Sequence, residues 1–173
     1  MRRWKQALAA LLLASLSGRA DEFGGNDLES LKYQYLAKFP KFIEWPATLP
    51  AGTFTLCVLG DESLAAIAKA IGDQHAQQRS FTVVDGKRVG NLGNCHILFV
   101  GRSEEWRAGN VVAMVRSAPV LTISDVDGFA ARGGVIEFVE RDLHLKFEIN
   151  LSAANNAGLR ISAKLAELAV KTY

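Results

Sequence analysis

The sequence predicts an α/β chain: a single-domain three-layer sandwich on a mixed, mostly parallel sheet of about six strands, with helices on both faces. Three observations carry this reading. Two runs, T-F-T-L-C-V-L-G (53–60) and C-H-I-L-F-V-G (95–101), are almost continuously apolar and β-branched, which suits strands buried on both faces. Each is followed by a segment with helical apolar spacing, so strand and helix alternate as in right-handed βαβ units. Near the C-terminus the spacing changes to strict alternation, the pattern of an antiparallel hairpin with one solvated face.

In chain order, Asn26 and Glu29 have the spacing of a capping box, and Leu28, Leu31, Tyr35, Phe39 and Phe42 recur at steps of three and four. They predict a helix over about 27–38 whose apolar stripe faces the sheet. Pro40 ends or kinks it, because proline has no N–H and its ring biases Phe39 away from helical angles. A short turn then carries Phe42 and Trp45 inward before Pro46 stops it. The run 53–60 is the first buried strand, Gly60-Asp61 turns the chain and caps a helix over 64–71, and S-F-T-V-V-D (80–85) is the next strand. After the strand at 95–101, Ser103 and Glu104 open a helix through Met114. P-V-L-T-I-S (119–124) is a further strand, and Asp125 is placed to cap a short helix near Phe129 and Ala130 that Gly133-Gly134 ends. V-I-E-F-V (135–139) and L-H-L-K-F-E-I-N (143–150) form the hairpin around a turn at Arg141 and Asp142, and 151–170 reads as helix in two pieces broken at Gly158.

The first twenty residues, MRRWKQALAALLLASLSGRA, have the layout of a secretory signal peptide: a basic start, an apolar run over 7–16, and small residues ending at Ala20. The alternative, a single membrane anchor, needs roughly 20 apolar residues, twice the length of that run. The expected mature domain is 21–173. Export changes the charge argument, because Arg2, Arg3, Lys5 and Arg19 all leave with the leader. Of 20 Lys and Arg, 16 remain against 18 Asp and Glu, a net charge of −2. A basic, nucleic-acid-seeking protein is therefore not implied.

Both cysteines, Cys57 and Cys95, fall in the mature part. An exported chain with two has one possible pairing, and an oxidising compartment favours that bridge over two separate buried thiols. Motifs that carry chemistry are scarce. The turn G-D-E-S-L after the first strand lacks G-x-G-x-x-G and the P-loop lysine, so it reads as a capped turn and not a phosphate site. His75, His96 and His144 are scattered without a second ligand at i+3 or i+4, and Ser63 has no G-x-S-x-G elbow around it. Asp125, Asp127, Glu137, Glu140 and Asp142 are not spaced as a calcium loop and read as a solvated rim.

Taken together, K-Y-Q-Y-L-A-K-F-P-K-F-I-E-W-P, F-T-L-C-V-L-G-D, N-C-H-I-L-F-V, V-L-T-I-S-D, G-G-V-I-E-F, L-K-F-E-I-N-L-S-A-A and G-L-R-I-S-A-K-L-A-E-L-A resemble the YfiR-like family of bacterial periplasmic proteins, from about Leu31 to Ala169. The resemblance implies a regulator and not an enzyme, with no catalytic residue, cofactor or metal ligand singled out. It implies a protein that binds and represses the periplasmic sensor region of an inner-membrane diguanylate cyclase, lowering cyclic di-GMP and biofilm formation, in a system with an outer-membrane lipoprotein. It also implies a homodimer and a bridge between Cys57 and Cys95; the second cysteine pair of some members is missing here, and with it any redox switch resting on that pair. Arg160 matches a basic position of the terminal motif that can hold an anion or carboxylate, and the stretch around Ile149, Asn150 and Leu151 matches an interaction surface. For Arg160 an exposed helix residue, and for the other three the capping and packing of the last helix, are the structural alternatives. The rival to the cyclase repressor is a periplasmic small-molecule-binding module acting on a different membrane receptor, such as a histidine kinase.

Overall fold

The computed structural model describes residues 22–47, 53–62, 64–72 and 80–173. The expected leader (1–20), Ser63 and His75 lie outside the described residues. Helix α1 (Glu22–Lys38) leads through a 3-10 turn (Phe39–Phe42) into the short strand β1 (Ile43–Glu44), followed by β2 (Phe54–Leu59), α2 (Leu64–Gly72), β3 (Phe81–Asp85) and β4 (Ile97–Val100). A 3-10 segment (Arg102–Arg107) runs into α3 (Ala108–Val115), and then come β5 (Leu121–Ser124), β6 (Ile136–Arg141), β7 (His144–Ile149), α4 (Leu151–Asn156), β8 (Arg160–Ile161), α5 (Ala163–Leu168) and β9 (Lys171–Thr172).

The main sheet has seven strands in the order β3-β2-β4-β5-β6-β7-β9, parallel from β3 to β6, with the β6–β7 hairpin antiparallel and β9 parallel to β7. Side chains alternate across each strand. Leu56 and Val58 of β2 and Ile97 and Phe99 of β4 face the helix α1 and α2 side, where Tyr33, Leu36, Phe39, Ile67 and Ile71 meet them. Cys57, Leu59, Leu98 and Val100 face the other way, onto Ala108, Val111, Val112 and Val115 of α3. The expected mostly parallel sheet between helical layers is present.

The aromatic stretch after α1 follows from this arrangement. Phe39 is 1% exposed, and its ring lies 5.4 Å from Tyr35, 5.8 Å from Phe138 and 5.3 Å from Phe147. Pro40 takes an early position of the 3-10 turn, where a missing N–H costs nothing, and Trp45 packs on Phe54 at 4.9 Å.

Several expectations need correction. The helix begins at Glu22, before the Asn26 capping box, and its most buried line is Tyr33, Leu36 and Ala37, while Leu28, Leu31, Tyr35 and Phe42 form a partly buried shoulder. Two-sided burial between α2 and the sheet rotates the contact line away from the one that spacing alone suggests. The segment after Ser103 is 3-10 up to Arg107 and only then α-helical. No helix forms near Phe129 and Ala130. Gly128 and Gly133 take φ of +72° and +99°, angles that suit glycine, and the turn amides of Gly128 and Ala130 donate to the Glu137 carboxylate at 2.7 and 2.9 Å instead of to helical carbonyls. The terminal segment breaks at Gly158 as expected, but its second helical piece is confined to α5 (Ala163–Leu168): Arg160 and Ile161 pair antiparallel with Glu44 and Ile43 before it, and Lys171–Thr172 after it adds the seventh strand beside β7. The hairpin turns at Asp142 and Leu143, both at positive φ (52° and 61°), one residue beyond the expected corner.

Candidate functional site

In an open parallel sheet the crevice beyond the carboxyl ends of the strands, where the strand order reverses, is where ligands are usually held. Here the order reverses at β2, whose neighbours are β3 and β4. The carboxylate of Glu62 fills that crevice. A Cβ on Gly101 would lie 1.7 Å from Glu62 Oε1, and one on Gly60 2.0 Å from Oε2, so glycine at both strand ends is what lets the acid fold in. Its Oε2 is buried and makes no hydrogen bond. Burial, opposed by a backbone hydrogen bond and reinforced by the charges of Asp125, Asp61 and Glu29, pushes this carboxyl above its ordinary range.

Neighbouring strand ends and α1 supply the rest. Asp125 follows β5, is 9% exposed, and accepts a hydrogen bond from Lys32 Nζ at 2.6 Å on Oδ2, while its Oδ1 is buried without a partner. Tyr33 donates to Glu29 at 2.9 Å, and burial followed by that bond drives its phenol far above the usual value. Arg102 donates to the Asp125 carbonyl at 2.6 Å and to Asp127 at 3.2 Å. Lys87 reaches Asp61 at 3.7 Å and Glu104 at 3.5 Å. Glu104, 6% exposed, also pairs with Arg107; that hydrogen bond outweighs desolvation and holds it below the usual carboxylate range.

The two acids have opposite linkage. The folded-state value of Glu62 is raised, so its contribution to stability is full below the ordinary carboxylate range and is lost as pH rises through the raised value; Glu104 contributes above the ordinary range and loses that contribution as pH falls. Glu62→Gln removes the first effect. The expected result is a variant that melts above wild type at pH 7.5, with the gap closing toward pH 4. Melting curves across that range check it, and a gap independent of pH would contradict the desolvated carboxyl.

A second concavity, a cleft of about 540 Å³, opens on the opposite side between α3, the 128–135 turn and α4. Arg116, Arg132, Ser152 and Asn156 stand among its lining, with Thr122 and Asn150 deeper and buried. Of the four residues that the sequence marks as ligand or interface candidates, three are consecutive at the β7–α4 junction. Ile149 is fully buried in the core, Asn150 caps α4 by accepting from Ala153 N–H at 2.7 Å while donating to the Ala130 carbonyl at 2.7 Å, and the Leu151 N–H donates to the Tyr173 carbonyl at 2.9 Å. Arg160 is exposed on β8, opposite Glu44, so it is a strand residue and not an exposed helix residue.

The rim of acids is corrected in part. Asp127, Glu140 and Asp142 are exposed, but Asp125 and Glu137 are buried and bonded. Glu62, Asp125 and Lys32 escape a reading by motif because they lie on three segments that only the sheet brings together. The G-D-E-S-L turn is the one local signal. His96 Nδ1 accepts from the Thr55 N–H at 3.1 Å, and His144 is exposed beside the Asp142 carbonyl. Among the described residues, no group of three or more His, Cys, Asp or Glu is arranged to hold a metal ion. Cys57 and Cys95 form a disulfide with Cα atoms 5.9 Å apart.

A family model described as YfiR/HmsC-like matches residues 29–170. Among solved structures, the chain is similar to the ABC domain in complex with L-Trp from Streptococcus pneumonia (TM-score 0.58, 12% identity) and to a conserved domain protein from Vibrio cholerae O1 biovar eltor (TM-score 0.56, 10% identity). Each alignment covers 82% of this chain and 60% of the other, so the chain spans less than two thirds of either relative. At such identities the likeness establishes the shared α/β fold.

Proposed function

Because the chain belongs to the YfiR/HmsC-like family, a family of periplasmic regulators, we propose that it binds the periplasmic sensor region of an inner-membrane diguanylate cyclase and represses the enzyme. The match over residues 29–170, which takes in nearly every described element, is the observation that carries this reading. Among the described residues no helix is long and apolar enough to cross a membrane. Repression of this kind needs no chemical step. The protein favours the inactive state of its partner by binding that state more tightly, and moving a two-state equilibrium from 1:99 to 99:1 takes a differential affinity of about 10⁴-fold. A homodimer and an outer-membrane lipoprotein that relieves the repression complete the proposal. Trp106, 79% exposed on the 3-10 segment before α3, and Met114, 73% exposed on α3, are the kind of side chains that anchor protein contacts.

Deleting the gene in a strain that carries the partner cyclase is expected to raise cellular cyclic di-GMP and surface attachment, with both restored by the wild-type gene. Unchanged nucleotide in that strain would remove the repressor reading. The second reading, a small-molecule sensor acting on a different membrane receptor such as a histidine kinase, is favoured by the α3–α4 cleft. It predicts altered kinase output with cyclic di-GMP untouched.

A further inference from the structure

We propose that the cleft between α3 and α4 is a binding site for a small organic carboxylate, under either reading of the partner. The charge of the lining is one-sided. Among the described residues that line it, Arg116 and Arg132 are the ionisable side chains, and no acid stands with them. Arg132 is held in place by hydrogen bonds from Nε to the Gly128 carbonyl at 3.2 Å and from Nη2 to the Asp127 carbonyl at 2.8 Å. The nearest acid on that turn, Asp127, turns its carboxylate to Arg102 at 3.2 Å and so leaves the Arg132 charge uncancelled. The side chain of Arg116, at the C-cap of α3, has no hydrogen bond or ion pair to any described residue. A guanidinium forks onto two carboxylate oxygens, and two of them beside one concavity select an anion.

The α3 terminus works against an anion, since the end of a helix carries about half a negative charge. Two full positive charges outweigh it. The same dipole gives Arg116 a purely structural alternative, complementing the helix end, so the test must separate the two roles.

The cleft sets the size of the ligand. Val112, Val120, Val135 and Ala157 close its floor, each at most 7% exposed, and the volume of about 540 Å³ falls within the range of small-molecule pockets. Asn150 contributes wall and not recognition, because its amide is already engaged by Ala130 and Ala153. Ser117, Ser152 and Asn156 offer hydroxyl and amide donors toward the opening. With no acid to receive an ammonium, a simple carboxylate fits better than a zwitterion. A volume of about 540 Å³, far larger than a phosphate ion needs, suits an organic anion better than inorganic phosphate.

The test uses the full mature chain, titrated calorimetrically with 3-phenylpropanoate, with phenethylammonium as a cation of similar shape, and with inorganic phosphate. The expected result is millimolar or tighter binding of the carboxylate alone, weakened by on the order of 10-fold in Arg116→Gln and by added salt. Amide shifts at Gly133, Ser152 and Asn156 would locate it. A melting temperature for Arg116→Gln equal to wild type distinguishes lost recognition from lost structure, whereas a lower one with binding retained marks the helix-end role and overturns the proposal. No carboxylate binding, equal binding of the ammonium probe, or shifts confined to other surfaces would also overturn it. None of these outcomes depends on the cyclase, so failure here is distinct from failure of the repressor reading.

Discussion

Phe39→Ala is expected to destabilise the protein by about 3–5 kcal/mol, a large share of the roughly 5–15 kcal/mol that holds a typical domain folded. Phe39 is 1% exposed, and rings of the hairpin (Phe138, Phe147) and of α1 (Tyr35) surround it at centroid distances of 5.3–5.8 Å. Those neighbours belong to elements far apart in the chain, each packed by its own strand or helix, so the hole left by the ring closes only in part. Pro40 adds to the cost by holding the turn in place. A urea titration checks the expectation: the midpoint should fall with the slope unchanged. A midpoint within error of wild type would mean that the aromatic cluster is not the anchor between α1 and the hairpin.

How much of the structure is legible in the chain depends on whether the cause is local. The strands around Cys57 and Leu98 are legible because burial on both faces writes an unbroken apolar run, and the outer half of the hairpin because its wet face writes an alternation; farther in, Glu137 and Glu148 on that same face are buried, which the alternation does not foretell. β8 and β9 are not, since two residues carry no period and their pairing with Ile43–Glu44 and with β7 is wholly tertiary. The 125–133 segment misleads for a related reason. Its acid-then-apolar pattern is that of a capped helix, but the buried Glu137 carboxylate on β6 captures the amides a helix would have used. The same physics hides the crevice. Lys32 on α1, Glu62 after β2 and Asp125 after β5 are ordinary surface residue types in sequence, and become a partly buried charge cluster only once three segments meet. For the cleft, the sequence points to Asn150 and not to Arg116 or Arg132, whose one-sided charge needs the approach of α3 to α4.

Replacing Cys57 and Cys95 together by alanine is expected to cost about 4 kcal/mol, the chain entropy released when a loop with sequence separation 38 opens in the unfolded state. The folded state should survive the change. β2 and β4 are already joined by a parallel ladder in which Cys57 pairs with Leu98, so the bridge reinforces a contact that the backbone also makes. Because Cys57 is fully buried and Cys95 only 3% exposed, a reductant reaches the sulfurs through an opening of the fold and not through its surface. Two consequences are separable by experiment. Dithiothreitol at neutral pH should leave the native protein oxidised over hours yet reduce it rapidly in urea, as followed by mass after alkylation. The reduced protein and the double variant should then melt at the same lower temperature. Rapid reduction of the native state would place the bridge near the surface as a redox-responsive element, and an unchanged melt after verified reduction would mean that the ladder alone holds β2 to β4.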